Sequence, residues 1–329
     1  MLRNVIKMKK GIAVVGTILV DKLNEISAYP NVGELTKIQG VQKAVGGCVP
    51  NVAIDLKRIC PDLTVKAVGK MGNDENGEYV KRILGENGVD VEAITVGKVE
   101  TSFTEVMSVT GGQRTFFVYA GANASFGFDD VDLDVLNVKM LHLGYFLLLD
   151  KMDNGDGEKL LKAAKEKGIK TSIDLVSENS DRYSIVLPCL AYVDNLIINE
   201  MEAGQLVGIE PTKENLVQIA QKLRAYGVRE RVIIHTPDLG ICVSENSVHI
   251  VPSYKLCDHF IQGTTGAGDA FCAGALYGIY QEKSDIELLE FASAAAVASL
   301  SKVDAISGLR TEKEIMELCK KFKRKEICL

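Results

Sequence analysis

The sequence predicts an α/β protein with a central, mainly parallel sheet, helices packed on it, and a small second β-sheet projecting from it. Three observations carry this. Short, unalternating runs rich in β-branched residues recur at 12–16, 64–68, 140–143, 170–173, 195–198 and 232–235, as expected of strands covered on both faces. Helix-like segments, for example 157–167 and 213–226, alternate with the later runs, which implies right-handed βαβ units. The 329 residues are 47% hydrophobic and 25% charged, an average globular composition with enough apolar material for a large core.

In chain order, 12–16 is the first buried strand, followed by mixed segments at 18–27 and 36–41 rather than a long helix. Gly46-Gly47 opens a helix over 50–59, with Pro50 in the first turn where its missing N–H is not needed. A strand at 64–68 leads into a glycine-rich turn at 69–77 and a helix at 78–86. Strand-like runs at 101–109 and 114–119 flank Gly111-Gly112, a hairpin signal. Two small-residue helices, 267–280 and 286–300, fill the C-terminal third. There are no repeats or linkers, so residues 1–329 are expected to form a single domain. The projecting sheet comes from about 17–45 and 100–121.

Composition excludes several classes. A net charge of −6, from 38 basic and 44 acidic residues, argues against a nucleic-acid or anionic-membrane footprint. Eight cysteines without C-x-x-C spacing point to reduced thiols and a cytoplasmic location. Four histidines with no H-x-x-x-H or Cys/His cluster argue against a protein-built zinc site. Lys7, Lys9 and Lys10 before the apolar run 11–20 imitate a signal peptide, but the reading preferred here is a first buried strand. No stretch reaches the roughly 18 apolar residues needed to span a bilayer. Gly11 and Gly16 do not make the G-x-G-x-x-G of a dinucleotide-dependent oxidoreductase.

Five motifs carry chemistry. In Gly263-Thr264-Thr265-Gly266-Ala267-Gly268-Asp269, small residues let backbone N–H groups face an anion at a helix start. Asp269 there is either a general base for a hydroxyl or an ordinary first-turn carboxylate. Gly46-Gly47-Cys48-Val49-Pro50-Asn51 allows close approach of a ligand, with Asn51 as donor and acceptor or as a helix cap. Asp21, past the first strand, lies where α/β sheets bind ligands and suits the paired hydroxyls of a polyol. The fourth motif runs from Gly69 to Gly77 as Gly69-Lys70-Met71-Gly72-Asn73-Asp74-Glu75-Asn76-Gly77. The fifth, Asn199-Glu200-Met201-Glu202, either holds a hydrated Mg²⁺ through water or begins a helix.

Taken in order, these motifs resemble the ribokinase-like, or PfkB, family of carbohydrate and nucleoside kinases. The stretch from Gly69 to Gly77 is similar to its G-x-x-G-x-D-x-x-G, Gly46, Gly47 and Asn51 to its G-G-x-x-x-N, Asn199 to Glu202 to its N-x-x-E, and Gly266 to Asp269 to its G-A-G-D core. The resemblance covers essentially the whole chain. It implies a three-layer α/β/α fold with a β-sheet lid that closes over the substrate, and ATP-dependent phosphorylation of a hydroxyl on a small sugar. It further implies Asp269 as base, Gly266, Ala267 and Gly268 as anion hole, and Asp21, Gly46, Gly47, Asn51 and Asn123 on the sugar. Thr236, Gly240, Thr265, Asn199 and Glu202 would serve the nucleotide, the last two organising Mg²⁺ through water. A homodimer through the lid is the partner it suggests.

Three positions depart from the family pattern. Gly263 stands where an aspartate helps hold a monovalent cation, which argues against cation activation. The family's T-x-G-x-x-G survives only as His235-Thr236-Pro237-Asp238-Leu239-Gly240, and Cys48 replaces the lysine of ribokinases proper, which weighs against ribose. His142 and Cys48 are expected to be core residues, Arg114 either solvated or reaching substrate, Asp181-Arg182 a loop, and the basic run 320–325 a solvated helix end. A nucleoside kinase and a non-catalytic sugar-binding relative are the alternatives. The intact Asp269 loop disfavours the latter.

Overall fold

The computed structural model describes residues 9–109 and 114–327. Its first strand, β1 (Ile12–Gly16), enters the small sheet through β2 (Leu19–Ile26) and β3 (Ile38–Gly46), and α1 (Cys48–Ile59), β4 (Val65–Gly72), α2 (Glu75–Glu86) and β5 (Ile94–Gly97) return to the main body. The hairpin strands are β6 (Ser102–Val109) and β7 (Arg114–Tyr119); the expected turn at Gly111-Gly112 lies outside the described residues. Then come α3 (Leu133–Leu136), β8 (Met140–Phe146), α4 (Gly157–Glu166), β9 (Lys170–Leu175), β10 (Asn195–Asn199), α5 (Glu200–Val207) and α6 (Leu216–Ala225). The chain closes with β11 (Arg231–His235), β12 (Leu239–Val243), β13 (Val248–Pro252), α7 (Ala267–Tyr280), α8 (Asp285–Ser299) and α9 (Glu312–Cys319).

The central sheet has nine strands in the order β13-β12-β11-β10-β9-β8-β1-β4-β5. Every pair is parallel except β11–β12 and β12–β13. Two apolar clusters cover its faces, one from α1, α2, α7, α8 and α9 and the other from α3, α4, α5, α6 and the 182–192 segment. This is a three-layer α/β/α body. The four-stranded second sheet runs β3-β2-β6-β7.

Sequence boundaries shift where side chains, not periodicity, set them. The expected turn at 69–77 is mostly strand and helix: β4 runs on to Gly72, and Asp74 caps α2 by accepting from the Gly77 N–H at 2.8 Å. The same carboxylate takes the Thr101 N–H and hydroxyl, both at 2.7 Å, tying α2 to the root of the small sheet. α7 and α8 press close because Gly274 faces Ala292 and Gly278 faces Leu288, where any Cβ would crowd the partner helix.

Candidate active site

The carboxyl ends of β8, β9, β10 and β11 and the start of α7 converge, as expected for an open α/β sheet. Gly266 precedes α7 in the left-handed region (φ 80), and a Cβ there would strike Ala305 at 2.6 Å. Glycine is therefore required both by conformation and by space. The first N–H groups of a helix lack intrahelical acceptors, so Gly266 and Gly268 present donors at the positive end of α7, while the Ala267 N–H donates to Thr264 O at 3.3 Å.

Asp269 sits in this first turn and is 7% exposed. Its Oδ2 accepts from Asn51 Nδ2 at 2.9 Å and from Tyr145 Oη at 3.0 Å. Burial, reinforced by the nearby Asp174 charge, pushes its carboxyl up to about 7, and the hydrogen bonds from Asn51 and Tyr145 partly offset this. A carboxylate poised near neutrality suits a general base.

Asn51 is oriented by α1, which begins at Gly47 (φ 88), where Cys48 N–H reaches Thr17 Oγ1 at 3.1 Å. Its Oδ1 is buried without a partner. Gly46 leaves room for Asp21, whose Oδ2 would lie 2.3 Å from any Cβ. Burial raises the Asp21 carboxyl to about 6, against a hydrogen bond from Thr104. Strand register puts Asp21, Thr104 and Val118 side by side, and Arg114, four residues before Val118, shares that face. Arg114 Nη1 accordingly reaches Thr265 Oγ1 at 2.8 Å, so this face of the small sheet looks onto the glycine loop. Asn123, expected on the sugar, is buried at the root of the small sheet. Its Oδ1 accepts from Ile18 N–H at 3.1 Å, fixing the crossing from β1 to β2.

Two cavities meet at Asn199, His235 and Gly268. The outer one, about 570 Å³, has an apolar lining that includes Pro237, Tyr254, Leu256, Phe271 and Val297. The inner one, about 310 Å³, is bounded by Asp174, Glu202 and Asp269, and no lysine or arginine lines it among the described residues. Asn199 and Glu202 form the capping box of α5, with Glu202 N–H on Asn199 Oδ1 at 2.8 Å and Ser177 Oγ on Glu202 Oε1 at 2.8 Å. Burial raises Glu202 to about 7. Glu202 and Asn199, beside a space that no lysine or arginine lines among the described residues, suit a Mg²⁺ held through water. Thr236 lines the outer cavity, while Gly240 lies inside β12 against Leu289 and is not among the lining residues. Neither Tyr145 nor Asp174 stands out by local spacing, because their roles depend on strands distant in the chain.

His142 is fully buried as expected, with Nδ1 on Ser172 Oγ at 3.0 Å and Nε2 on Asp174 Oδ2 at 3.2 Å. Cys272 Sγ approaches the same Nε2 at 3.5 Å. Residue spacing could not anticipate this grouping, since its members come from β8, β9 and α7. Burial holds the Cys48 thiol well above its usual range, so it is a core thiol rather than a nucleophile. Gly263 carries no carboxylate, and a Cβ there would meet Val303 O at 2.8 Å and Lys302 O at 3.1 Å.

Residues 9–312 match the model of the pfkB family of carbohydrate kinases. The chain belongs to this family. It is 28% identical over 323 residues to a ribokinase of Arabidopsis thaliana, covering 94% of this chain and 81% of that one. It is 26% identical over 324 residues to fructokinase-1 of Zea mays, with 93% and 96% covered. The structure of Arabidopsis thaliana ribokinase complexed with ribose and ATP superposes with a TM-score of 0.83 at 25% identity, covering 95% of this chain and 99% of that one. The nine-stranded sheet with its separate four-stranded sheet is therefore the ribokinase-like fold of a pfkB carbohydrate kinase. No helix among the described residues is long and apolar enough to cross a membrane.

Proposed function

We propose that this pfkB kinase transfers the γ-phosphoryl group of ATP to a hydroxyl of a small sugar, with Asp269 as the base. The observation that carries this is the placement of Asp269: a buried carboxylate in the first turn of α7, facing the inner cavity and held by Asn51 and Tyr145. The apolar outer cavity suits a nucleotide base, and the inner one suits its phosphates. Asp21 and the unpartnered Oδ1 of Asn51 accept hydroxyl protons of the sugar, while the face of the small sheet carrying Arg114 closes over it and excludes water.

In the reaction, Asp269 removes the proton of the acceptor hydroxyl as its oxygen attacks the γ-phosphorus. The bond from that phosphorus to the β–γ bridging oxygen breaks, and the electron pair leaves on ADP. Charge on the transferring oxygens is met by the N–H groups of Gly266 and Gly268, and by that of Ala267 once it leaves Thr264 O. Mg²⁺, held through water by Asn199 and Glu202, would neutralise phosphate charge. Coupled ADP release over pentoses, hexoses, sugar acids and nucleosides tests the reading. Turnover with a sugar is expected. Turnover with nucleosides alone, or sugar binding without turnover, would overturn it.

A further inference from the structure

We propose that Tyr145 is the positioning residue of the base: together with Asn51 it pins Oδ2 of Asp269, leaving Oδ1 to face the acceptor hydroxyl. This rests on the reading of Asp269 as the base and adds a residue that none of the five motifs contains.

The backbone is built for it. Along β8, Met140 belongs to the cluster under α1 and α7, whereas Leu141 and Leu143 belong to the cluster on the opposite face. Strict alternation would send residue 145 with Leu141 and Leu143. Tyr145 instead packs on the α1/α7 side, because it adopts φ 55, a left-handed conformation rare for a bulky residue. Leu147 follows at φ 82, and the β8–β9 register shifts between Leu143 and Phe146. Such strain persists only where the surroundings over-determine it. Here Asp174 does so: its Oδ1 accepts from Tyr145 N–H at 2.5 Å, and its Oδ2 is held by His142 Nε2 at 3.2 Å, which is braced in turn by Ser172 at 3.0 Å. The chain Ser172–His142–Asp174 thus fixes a strained backbone, and the strained backbone aims the phenol at Asp269. Oδ2 then receives one donor from β8 and one from α1, so the carboxylate cannot rotate freely.

The groups facing Asp269 give the pH response its sign. Asp174 from β9 and Asp21 from β2 repel its charge, while Asp55 and Cys48 from α1 and Cys272 from α7 face it with their own ionisation pushed up by burial and by the Asp269 charge. His235 from β11 and Glu202 from α5 line the same cavity. The donors from Asn51 and Tyr145 favour the ionised form. Removing the phenol oxygen therefore raises the pH at which the base ionises, and removing the Asp174 charge lowers it.

The experiment compares pH profiles of kcat/KM for the sugar in wild type, Tyr145→Phe and Asp174→Asn, using whichever substrate the ADP-release screen identifies. Tyr145→Phe is expected to move the acid limb up by about one pH unit, costing about fivefold near pH 7, approaching tenfold at lower pH and much less near pH 9, with KM for ATP unchanged. Asp174→Asn keeps an acceptor for Tyr145 N–H and should move the limb down. An unmoved limb in Tyr145→Phe, or an equal loss at every pH, would overturn the proposal. Asp269→Asn measured alongside separates the two ideas. If it keeps more than about a tenth of wild-type kcat, the base assignment itself fails.

Discussion

The amide of Asn51 lies 2.9 Å from Oδ2 of Asp269, joining α1 to α7 across 218 residues of sequence. The early G-G-x-x-x-N motif and the late G-A-G-D motif are thus two halves of one arrangement. Gly47 starts the helix that delivers the amide, and Gly266 starts the helix that delivers the carboxylate.

Asp269→Asn is expected to cut kcat by about 10²–10⁴-fold while sugar and ATP still bind. Stability should move the other way. Burial pushes the folded-state carboxyl up to about 7 from its ordinary value of 3.8, so the folded chain holds the extra proton between these values. Stability therefore falls as pH rises through that window. Replacing the buried carboxylate removes this cost, a gain on the order of a few kcal/mol near pH 8 that vanishes towards pH 4. Thermal unfolding at the two pH values checks it. A variant less stable than wild type near pH 8 would contradict the origin given for the shift.

Asp21→Ala should raise KM for the sugar strongly and leave KM for ATP nearly unchanged, since Asp21 lies on the small sheet beside Thr104, away from the outer cavity. In wild type, sugar KM should worsen below about pH 6, where the Asp21 carboxyl takes up its proton and loses acceptor capacity. Equal effects on both KM values would show that the sugar site lies elsewhere.

The legible parts of the sequence were those in which one residue determines its own surroundings. The β-branched runs gave the parallel strands, and glycine pairs marked where helices begin. The antiparallel pair β12 and β13 and the short edge strand β5 were missed, because their patterns are brief and only tertiary pairing defines them, whereas the basic run at 320–325 does follow a helix, α9. The same holds within the site. Asp269 and Asn51 sit in motifs, whereas Tyr145 reaches the base through a backbone conformation that no periodicity encodes. Asn123 matched a motif, and what spacing did not disclose is that its side-chain oxygen accepts from the Ile18 N–H.

A homodimer through the small sheet is a separate expectation. Its edge strands β3 and β7 expose Val41 (69%) and Phe117 (57%), and alternation puts both on the face opposite Asp21. Pairing of two copies there would cover apolar surface without closing the cleft. Light scattering should give a dimer mass for wild type and a monomer for Val41→Glu combined with Phe117→Glu. A monomeric wild type at micromolar concentration would refute this.

The last expectation concerns monovalent cations. The family resemblance places an aspartate at position 263, where a carboxylate would help fix an ion beside the anion-hole loop. Here Gly263 supplies only a neutral carbonyl, a weaker ligand for a hard cation. The space a side chain would need is already taken, since a Cβ would lie 2.8 Å from Val303 O. Packing supplies the order instead: Gly266 rests on Ala305, and Asp304 Oδ1 holds the Ile306 and Ser307 N–H groups at 3.0 and 2.6 Å. The 304–307 turn thus braces the loop from its own side, and that bracing is expected to suffice without an ion. Replacing K⁺ with a bulky organic cation at constant ionic strength should change kcat by less than about threefold, or about 0.7 kcal/mol in barrier height. Strong, saturable activation by K⁺ would show that backbone carbonyls alone hold the ion, and the bracing given to Asp304 would then be insufficient.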